Sequence, residues 1–273
     1  MTGTHVPRQR RHTLYFLEEI RPFSPVFLDT EVDMARVLEH RAERTGRRHS
    51  VIGYVLHTAA RVLVRHPQAN VAVRGGVLPK VAPSPGAHAK IALDKTWGGQ
   101  RVVLSAVLPD LDRADLDEIQ DRLEHYRDSD PEQLPQYAGL PLLHKLPRPI
   151  AQTAFRRVVR PLAGRAQRMG TFSVTSLGHR AVDGFHSVGG TPVTLGVGRI
   201  TDRPVVRDGA LAIAPTMRLS LAFDHRILDG AEAADILTEV KEGLESFGAA
   251  EPAGAPVPAD ALVPAEARSG GAG

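Results

Sequence analysis

Cysteine is absent from the 273 residues of the chain. This absence excludes disulfide bonds, thiolate metal sites, iron–sulfur clusters and a cysteine nucleophile. It does not decide the cellular compartment, because a chain without cysteine is compatible with a reducing or an oxidising environment. Lysine is also scarce, and most of the basic residues are arginines.

Long apolar runs and a strong charge imbalance are missing as well. The most apolar stretch, residues 51–64, is interrupted by His57 and Arg61 and is too short to cross a bilayer. Residues 1–13 contain no apolar core of a secretory signal. The net charge is +3, and no nucleic-acid module follows from it. We therefore expect a cytoplasmic protein with no membrane span and no nucleic-acid partner.

The charges that are present are unevenly distributed. Residues 110–132 hold ten acidic side chains against three arginines, whereas residues 133–182 hold eight cations and no acid. This pattern predicts a solvated acidic helix followed by a basic surface loop. The alternative is a docking face for an anionic partner, steered by long-range attraction.

Hydrophobic periodicity predicts an ordered α/β or α+β domain with helices on one face of a sheet. Helical spacing covers residues 33–45, 50–67, 112–126, 149–160 and 230–247. Strand patterns cover residues 70–73, 77–81, 89–93, 101–108, 171–177, 192–200, 204–207, 211–214 and 217–223. Ser50 is a predicted helix N-cap, and Asp208-Gly209 is a predicted hairpin turn. Residues 248–273 are nearly all Ala, Pro, Gly and Glu, which predicts a disordered tail.

One run carries recognisable chemistry. An alternating apolar strand leads into Asp224, His225 and Arg226, and Asp229-Gly230 opens the next helix. A lone histidine at a strand end is most often structural, and Asp229 equally suits the N-cap of the helix. Here, however, the imidazole is bracketed by two carboxylates and a guanidinium within one tight turn.

This run resembles the D-H-R-x-x-D-G signature of the catalytic domain of 2-oxoacid dehydrogenase acyltransferases, within the chloramphenicol acetyltransferase superfamily. Residues 170–178, GTFSVTSLG, resemble a second motif of that family, and Leu195-Gly-Val-Gly198 resembles a connecting strand. The two motifs stand in the family's order, and the resemblance extends over about residues 8–247.

The resemblance implies a role for each matching residue. His225 would be the general base that takes a proton from the attacking acceptor, since an imidazole titrates near neutral pH. Thr175 would donate a hydrogen bond to the oxyanion of the tetrahedral intermediate. Asp229 would be a structural anchor that pairs with either Arg10 or Arg11.

The resemblance also implies the fold, the assembly and the substrates. We expect a mixed sheet flanked by helices, assembled as a homotrimer in which His225 of one chain faces Thr175 of its neighbour. The donor would be acyl-CoA or a thioester on a lipoyl or acyl carrier domain, with no covalently bound cofactor and no metal. The chain would be free-standing, without a lipoyl domain. A core component of a dehydrogenase complex and a non-catalytic trimeric scaffold are the alternatives.

The sequence departs from the family pattern in two places. Residues 131–169 form a basic insertion within the predicted catalytic domain, residues 1–247, and Ser176 stands where the family has asparagine. The cations Arg156, Arg157 and Arg160 interleave with apolar residues in the insertion. They are candidates for binding the phosphates of CoA or an acidic carrier domain.

Overall fold

The structure is a computed structural model, and it describes residues 6–44 and 46–249. Its helices are α1 (Arg11–Ile20), α2 (Ala35–Glu43), α3 (Val51–Leu63), α4 (Leu116–Asp128), α5 (Leu140–Lys145), α6 (Arg148–Val159), α7 (Arg165–Met169) and α8 (Gly230–Glu245). Its strands are β1 (Pro25–Asp33), β2 (Val71–Arg74), β3 (Lys80–Pro83), β4 (Ala89–Trp97), β5 (Gln100–Leu108), β6 (Phe172–Ser176), β7 (Val193–Arg207) and β8 (Ala210–Asp224).

Six strands form one mixed sheet in the order β1-β8-β7-β6-β4-β5. The pairs β4–β6 and β6–β7 are parallel and the other neighbours are antiparallel. Strands β2 and β3 form a separate hairpin. The predicted α/β class, with a mixed sheet flanked by helices, is confirmed.

The main core lies between the sheet and one layer of helices. Alternate strand residues such as Val174, Leu195 and Leu221 face α3 and α8, and the helices contribute Leu56 and Ile236. Ser50 lies at the N-cap position of α3, but its side chain does not cap the helix: the Ser50 hydroxyl donates to Gln120 Oε1 at 2.8 Å. The side-chain amide of Gln120 in α4 therefore binds the hydroxyl that was predicted to cap α3.

The β7–β8 hairpin is longer than its sequence pattern predicted. Four predicted short strands are two strands of 15 residues each. Pro204 and Pro215 read as breaks, yet both lie beyond the ends of β6 and β1, where the hairpin is only two strands wide. The predicted turn is confirmed, because Asp208 and Gly209 both have positive φ, at 51° and 79°, as a type I′ turn requires.

Two elements at the amino-terminal end were not predicted. Strand β1 pairs with β8 along its whole length, and Val26, Leu28 and Val32 carry the period-2 signal that could have found it. Helix α1 lies on the second face of the sheet, where the Lys90 ammonium sits 4.4 Å from the centroid of the Phe16 ring. Helices therefore occupy part of both faces, and the expectation of one covered face is wrong.

The basic segment is helical, which corrects the expectation of a basic surface loop. It contains α5, α6 and α7 and two short 3-10 helices, Pro131–Gln133 and Pro135–Tyr137. Leu143 and Ala151 pack with Tyr15 of α1 in a small core of their own, with Phe155 at its margin. Burial of this apolar face orders the segment in spite of its positive charge.

The remaining expectations concern regions at the limits of the described residues. From residue 250 onward the predicted disordered tail lies outside them, and the domain boundary at residue 247 stays a prediction. Over the described residues, no helix combines the length and the apolar character needed to cross a membrane.

Candidate active site

The turn after β8 is built around a buried ion pair. Asp224 is 1% exposed, and its carboxylate accepts from the Arg226 guanidinium at 2.8 and 2.6 Å. The same carboxylate also accepts from the Arg226 backbone amide at 3.2 Å. Charged hydrogen bonds between two residues that flank His225 fix the backbone on both sides of it.

Arg226 also ties this turn to the β2–β3 hairpin. Its guanidinium donates to the carbonyl oxygens of Gly75 and Gly76, at 3.0 and 2.7 Å. It stacks over the Phe23 ring at 4.9 Å from the centroid, a favourable cation–π geometry. The turn is thus held from two sides as well as from within.

The imidazole of His225 is oriented by the backbone. Its Nδ1 lies 3.0 Å from the carbonyl oxygen of Leu228. A carbonyl oxygen can only accept, so Nδ1 carries the proton in the neutral ring and Nε2 keeps its lone pair. Nε2 has no hydrogen-bond partner among the described residues, and the side chain is 49% exposed. The ring can therefore take a proton from a group that approaches through solvent.

Asp229 is placed beside this imidazole. It occupies the N-cap position of α8, but its carboxylate makes no capping bond. Its Oδ1 lies 3.6 Å from His225 Nδ1, and its side chain is 91% exposed. Water screens so exposed a pair, so the contact is weak.

Arg10 and Arg11 do not reach Asp229 within one protomer. The Arg11 guanidinium donates to the carbonyls of His144 and Leu146, at 2.8 and 3.3 Å. Arg10 lines a cavity beside Thr175. Among the described residues neither arginine forms an ion pair with Asp229, so the expected pairing stays a prediction.

Thr175 lies near the end of β6, level with the middle of β1 and β8. The register aligns Thr175 with Gly196 on β7, and Gly196 with Ser220 on β8. His225 is five residues beyond Ser220, so it lies about 17 Å further along the strands and roughly 10 Å across them. The two predicted catalytic side chains therefore cannot act on the same atom within one protomer.

The sheet divides where Thr175 stands. Pairing between β4 and β6 ends at Ile91 and Val174, whereas pairing between β6 and β7 continues to Ser176 and Val197. The divergence leaves a cavity of about 920 Å³ with Thr175 in its wall, which we call the Thr175 cleft. Its other lining residues are Arg10, Ser50, Ile52, Ile91, Ala92, Leu93, Asp94, Lys95, Arg101, Val102, Val103, Leu123, Arg127, Ser176, Leu177, His179 and Arg180.

The irregular loop after β6, residues 177–191, is fixed to the sheet by hydrogen bonds. The Leu177 amide donates to the Val197 carbonyl at 3.1 Å, and the Arg199 amide donates to Val182 at 2.9 Å. A Cβ on Gly198 would collide with the Asp183 carbonyl, so the close approach of loop and strand requires glycine there.

A buried amine fixes the far end of the same loop. The ammonium of Lys90 donates to the Gly189 carbonyl, and burial lowers the Lys90 pKa to about 7.

The described residues contain no group of three side chains suited to a metal ion.

The carboxyl-terminal part of this site decides the family comparison. Residues 156–250 match the family model described as 2-oxoacid dehydrogenases acyltransferase (catalytic domain). This is the acyltransferase-family segment of the chain. It contains Thr175, His225 and Asp229, and it confirms the resemblance inferred from their motifs.

Curated relatives match over a stretch of similar length. The chain is 38% identical over 82 residues to the dihydrolipoyllysine-residue acetyltransferase component of the pyruvate dehydrogenase complex of Bacillus subtilis (strain 168), which is 29% of this chain and 19% of that protein. It is 42% identical over 83 residues to the dihydrolipoyllysine-residue succinyltransferase component of the 2-oxoglutarate dehydrogenase complex of Bartonella vinsonii subsp. berkhoffii, 28% of this chain and 19% of that one. The matches thus span about a fifth of each relative.

Solved structures share the fold over most of the chain. The dihydrolipoamide acetyltransferase of Azotobacter vinelandii superposes with a TM-score of 0.65 at 20% identity, over 89% of this chain and 92% of that one. A probable dihydrolipoamide acetyltransferase from Listeria monocytogenes gives 0.61 at 18% identity, over 93% and 98%. The fold is therefore shared well beyond the acyltransferase-family segment.

Several parts of the site could not be predicted from the sequence. The Leu228 carbonyl that orients His225 is a backbone group. The carbonyl oxygens of Gly75 and Gly76, which accept from Arg226, are distant from it in sequence. Ile52 and Leu123 reach the Thr175 cleft from two different helices. The motifs carried no signal for these contacts, because each depends on tertiary packing.

Proposed function

We propose that this protein is an acyltransferase that moves an acyl group from a thioester donor to an acceptor thiol, hydroxyl or amine. The observation that carries the proposal is the His225 turn. A half-exposed imidazole with a free Nε2 is locked by a buried ion pair, within the acyltransferase-family segment. Such an arrangement suits a general base, which must be accessible and correctly oriented.

The mechanism is a direct transfer in a ternary complex. His225 Nε2 takes the proton of the acceptor while the acceptor atom forms its bond to the thioester carbonyl carbon. The carbonyl oxygen becomes an oxyanion, to which the Thr175 hydroxyl donates a hydrogen bond. When the tetrahedral intermediate collapses, the carbon–sulfur bond breaks, and the departing thiolate receives the proton from Nε2. Asp229 Oδ1 lies 3.6 Å from Nδ1 of the ring that carries the proton between these two transfers.

The separation of His225 and Thr175 implies an assembly. We propose a homotrimer in which His225 of one protomer faces Thr175 of its neighbour across the subunit boundary. Cyclic symmetry would then create three equivalent sites from three identical pairs of half-sites. The distance of about 17 Å along the strands supports this arrangement, because it excludes a site within one chain.

The donor and the setting are part of the same proposal. Acyl-CoA, or a thioester carried by a lipoyl or acyl carrier domain, would supply the acyl group in the cytoplasm. A role as a core component of a 2-oxoacid dehydrogenase complex is the second candidate. It is favoured by the relatives from Bacillus subtilis and Bartonella vinsonii, which are components of such complexes.

The basic insertion has a narrower role than its charge predicted. Arg160 and Arg156 approach Glu19, at 2.9 and 3.7 Å, and the Glu19 side chain is 6% exposed. Their charges are therefore partly used to neutralise a buried carboxylate. Arg157 is exposed and forms no ion pair among the described residues. Docking of CoA phosphates or of an acidic carrier domain at this face stays a proposal that rests mainly on Arg157.

A thiol-release assay with a panel of acyl-CoAs tests the proposed function. Wild-type protein should release free thiol in the presence of an acceptor, and His225→Ala should lower kcat by about 10²–10⁴. His125→Ala is the matched control, because it removes an exposed histidine from α4. Equal rates for wild type and a folded His225→Ala protein would instead indicate a non-catalytic scaffold.

A further inference from the structure

The Thr175 cleft has an apolar floor formed by both layers of the fold. Ile91 and Leu93 line it from β4, Leu177 from the end of β6, and Ile52 and Leu123 from α3 and α4. The cleft thus passes from the Thr175 hydroxyl through the gap in the sheet to the helical layer. The side chains named here are all apolar, and Ser50, which precedes α3, is the polar side chain that lines the cleft beside Ile52.

The charges of the cleft lie at its mouth. Arg101 is neutralised by Asp94, with Nε 2.7 Å from Oδ1. The Lys95 ammonium donates to the carbonyls of Arg127 and Ser129, at 2.6 and 2.8 Å. Arg10 and Arg180 are exposed and form no side-chain ion pair among the described residues. The cleft therefore presents cations to solvent and hydrocarbon to its interior.

The size of the cleft is far larger than the smallest acyl groups need. A volume of about 920 Å³ lies in the range of pockets that enclose drug-sized molecules. An acetyl group would leave nearly all of the apolar floor in contact with water. Each additional methylene buried there should raise the specificity for the donor about fourfold.

We infer that the Thr175 cleft receives the apolar acyl chain of the donor, and that this protein transfers medium-length acyl groups in preference to acetyl. The thioester carbonyl lies at the Thr175 hydroxyl, the hydrocarbon chain lies along Ile52, Leu93 and Leu123, and the anionic end of the donor faces the cations at the mouth. The inference rests on the proposed function, and it names the substrate class of that site.

Paired donors and a cavity-filling variant test this inference. The probes are acetyl-CoA and octanoyl-CoA, and the readout is the ratio of their kcat/KM values. The wild-type ratio should exceed about 100 in favour of octanoyl-CoA, and Ile52→Trp should lower it at least about tenfold. Val51→Trp is the matched control: Val51 precedes Ile52 on α3 and is also half-buried, but it does not line the cleft. The control should keep the wild-type ratio.

A second pair of variants guards against misfolding of α3. Ala92→Phe fills the cleft from the exposed face of β4, and Thr96→Phe places the same ring on that face outside the cleft. Only Ala92→Phe should lower the ratio. A wild-type ratio near one, or the same ratio in both members of each pair, would overturn the inference. That result would also fit a cleft filled by a segment of the partner subunit.

Calorimetric binding separates this inference from the proposed function. Octanoyl-CoA should bind wild-type protein at least about tenfold more tightly than CoA, and Ile52→Trp should remove the difference. If this preference is found but no acyl-CoA supports transfer, the proposed activity fails and the assignment of the cleft survives. If transfer occurs but CoA and octanoyl-CoA bind equally, the assignment of the cleft fails and the activity survives.

Discussion

The His225 turn lies at one end of the sheet, the Thr175 cleft lies about 17 Å further along the strands, and the two are built in opposite ways. The turn is dense with bonds: Asp224 and Arg226 form a buried pair, and Arg226 reaches the β2–β3 hairpin. The cleft is open, because β4 and β6 stop pairing after three residue pairs and the space between them stays unfilled.

The difference follows from what each end would contribute to the proposed reaction. A general base must keep one orientation and one tautomer, so the backbone around it is fixed by charged hydrogen bonds. A substrate-binding end must leave volume for a ligand, so the sheet gives up part of its hydrogen-bond ladder. Neither end alone contains a complete site.

The sharpest test asks whether the two ends combine between chains. His225→Ala and Thr175→Ala proteins should each lose activity, by about 10²–10⁴ and 10²–10³ respectively. After co-expression, trimers that contain both variants should regain about a third of the wild-type sites, because one of their three boundaries joins an intact His225 to an intact Thr175. The measurement is kcat per site for mixtures purified through two different affinity tags.

In the control, two copies of the His225→Ala protein, each with a different affinity tag, are co-expressed and purified in the same way. This sample should stay inactive. If the mixed sample is no more active than the single variants, the catalytic pair does not form across a boundary of this trimer.

The second test compares the two kinds of ion pair. Asp224→Asn should lower the free energy of unfolding by about 3–5 kcal/mol, because it leaves the largely buried Arg226 without its counter-ion. Asp29→Asn removes the partner of Arg218 in an exposed pair at 3.5 Å, and it should cost about 1 kcal/mol or less. Urea denaturation at one fixed protein concentration measures both values. Equal losses would mean that the turn is not held by its ion pair.

The third test, with the smallest expected effect, concerns how the free energy of unfolding changes with pH. His144 packs near Trp97, and its Nε2 lies 3.2 Å from Nδ1 of His12. Burial, followed by the charges of His12 and Arg11, lowers the His144 pKa to about 4. Between pH 6.5 and 4 the unfolded chain therefore takes up a proton that the folded chain does not, so the free energy of unfolding should fall as pH falls through this window.

The variant His144→Gln should flatten that dependence, as measured by urea denaturation at a series of pH values. His57, whose pKa burial also lowers to about 4, contributes in wild type and variant alike. His12 Nε2 donates to the carbonyl oxygen of Val103 at 3.0 Å, and Val103 lines the Thr175 cleft. Identical slopes for the two proteins would show that this histidine pair does not weaken the cleft end in acid.

The fold was predictable where local signals agree with packing. The apolar faces of α3 and α8 and the turn at Asp208-Gly209 follow directly from periodicity and turn chemistry. Both helices begin where they were predicted to begin, but the expected capping bonds are not formed, because other groups take the capping side chains. Gln120 takes the hydroxyl of Ser50, and the carboxylate of Asp229 lies beside His225 instead of capping α8.

The site was predictable only as separate motifs. The motifs identify His225 and Thr175 as candidates, but no sequence signal places them about 17 Å apart along the strands, because that follows from the register of three strands. The basic insertion shows the reverse error. Its charge suggested a free cationic face, whereas two of its arginines approach a buried Glu19 that lies far away in sequence.

The loop of residues 177–191 has a consequence for how substrate reaches Thr175. Irregular backbone is commonly mobile, but this loop is bonded to β7 at Val197 and Arg199 and held by Lys90 at its far end. The Leu177 amide should exchange with deuterated water about as slowly as the amides of the strand beneath, since it is bonded to the Val197 carbonyl of β7. In the proposed trimer, access to Thr175 would then depend on the neighbouring subunit and not on movement of this loop.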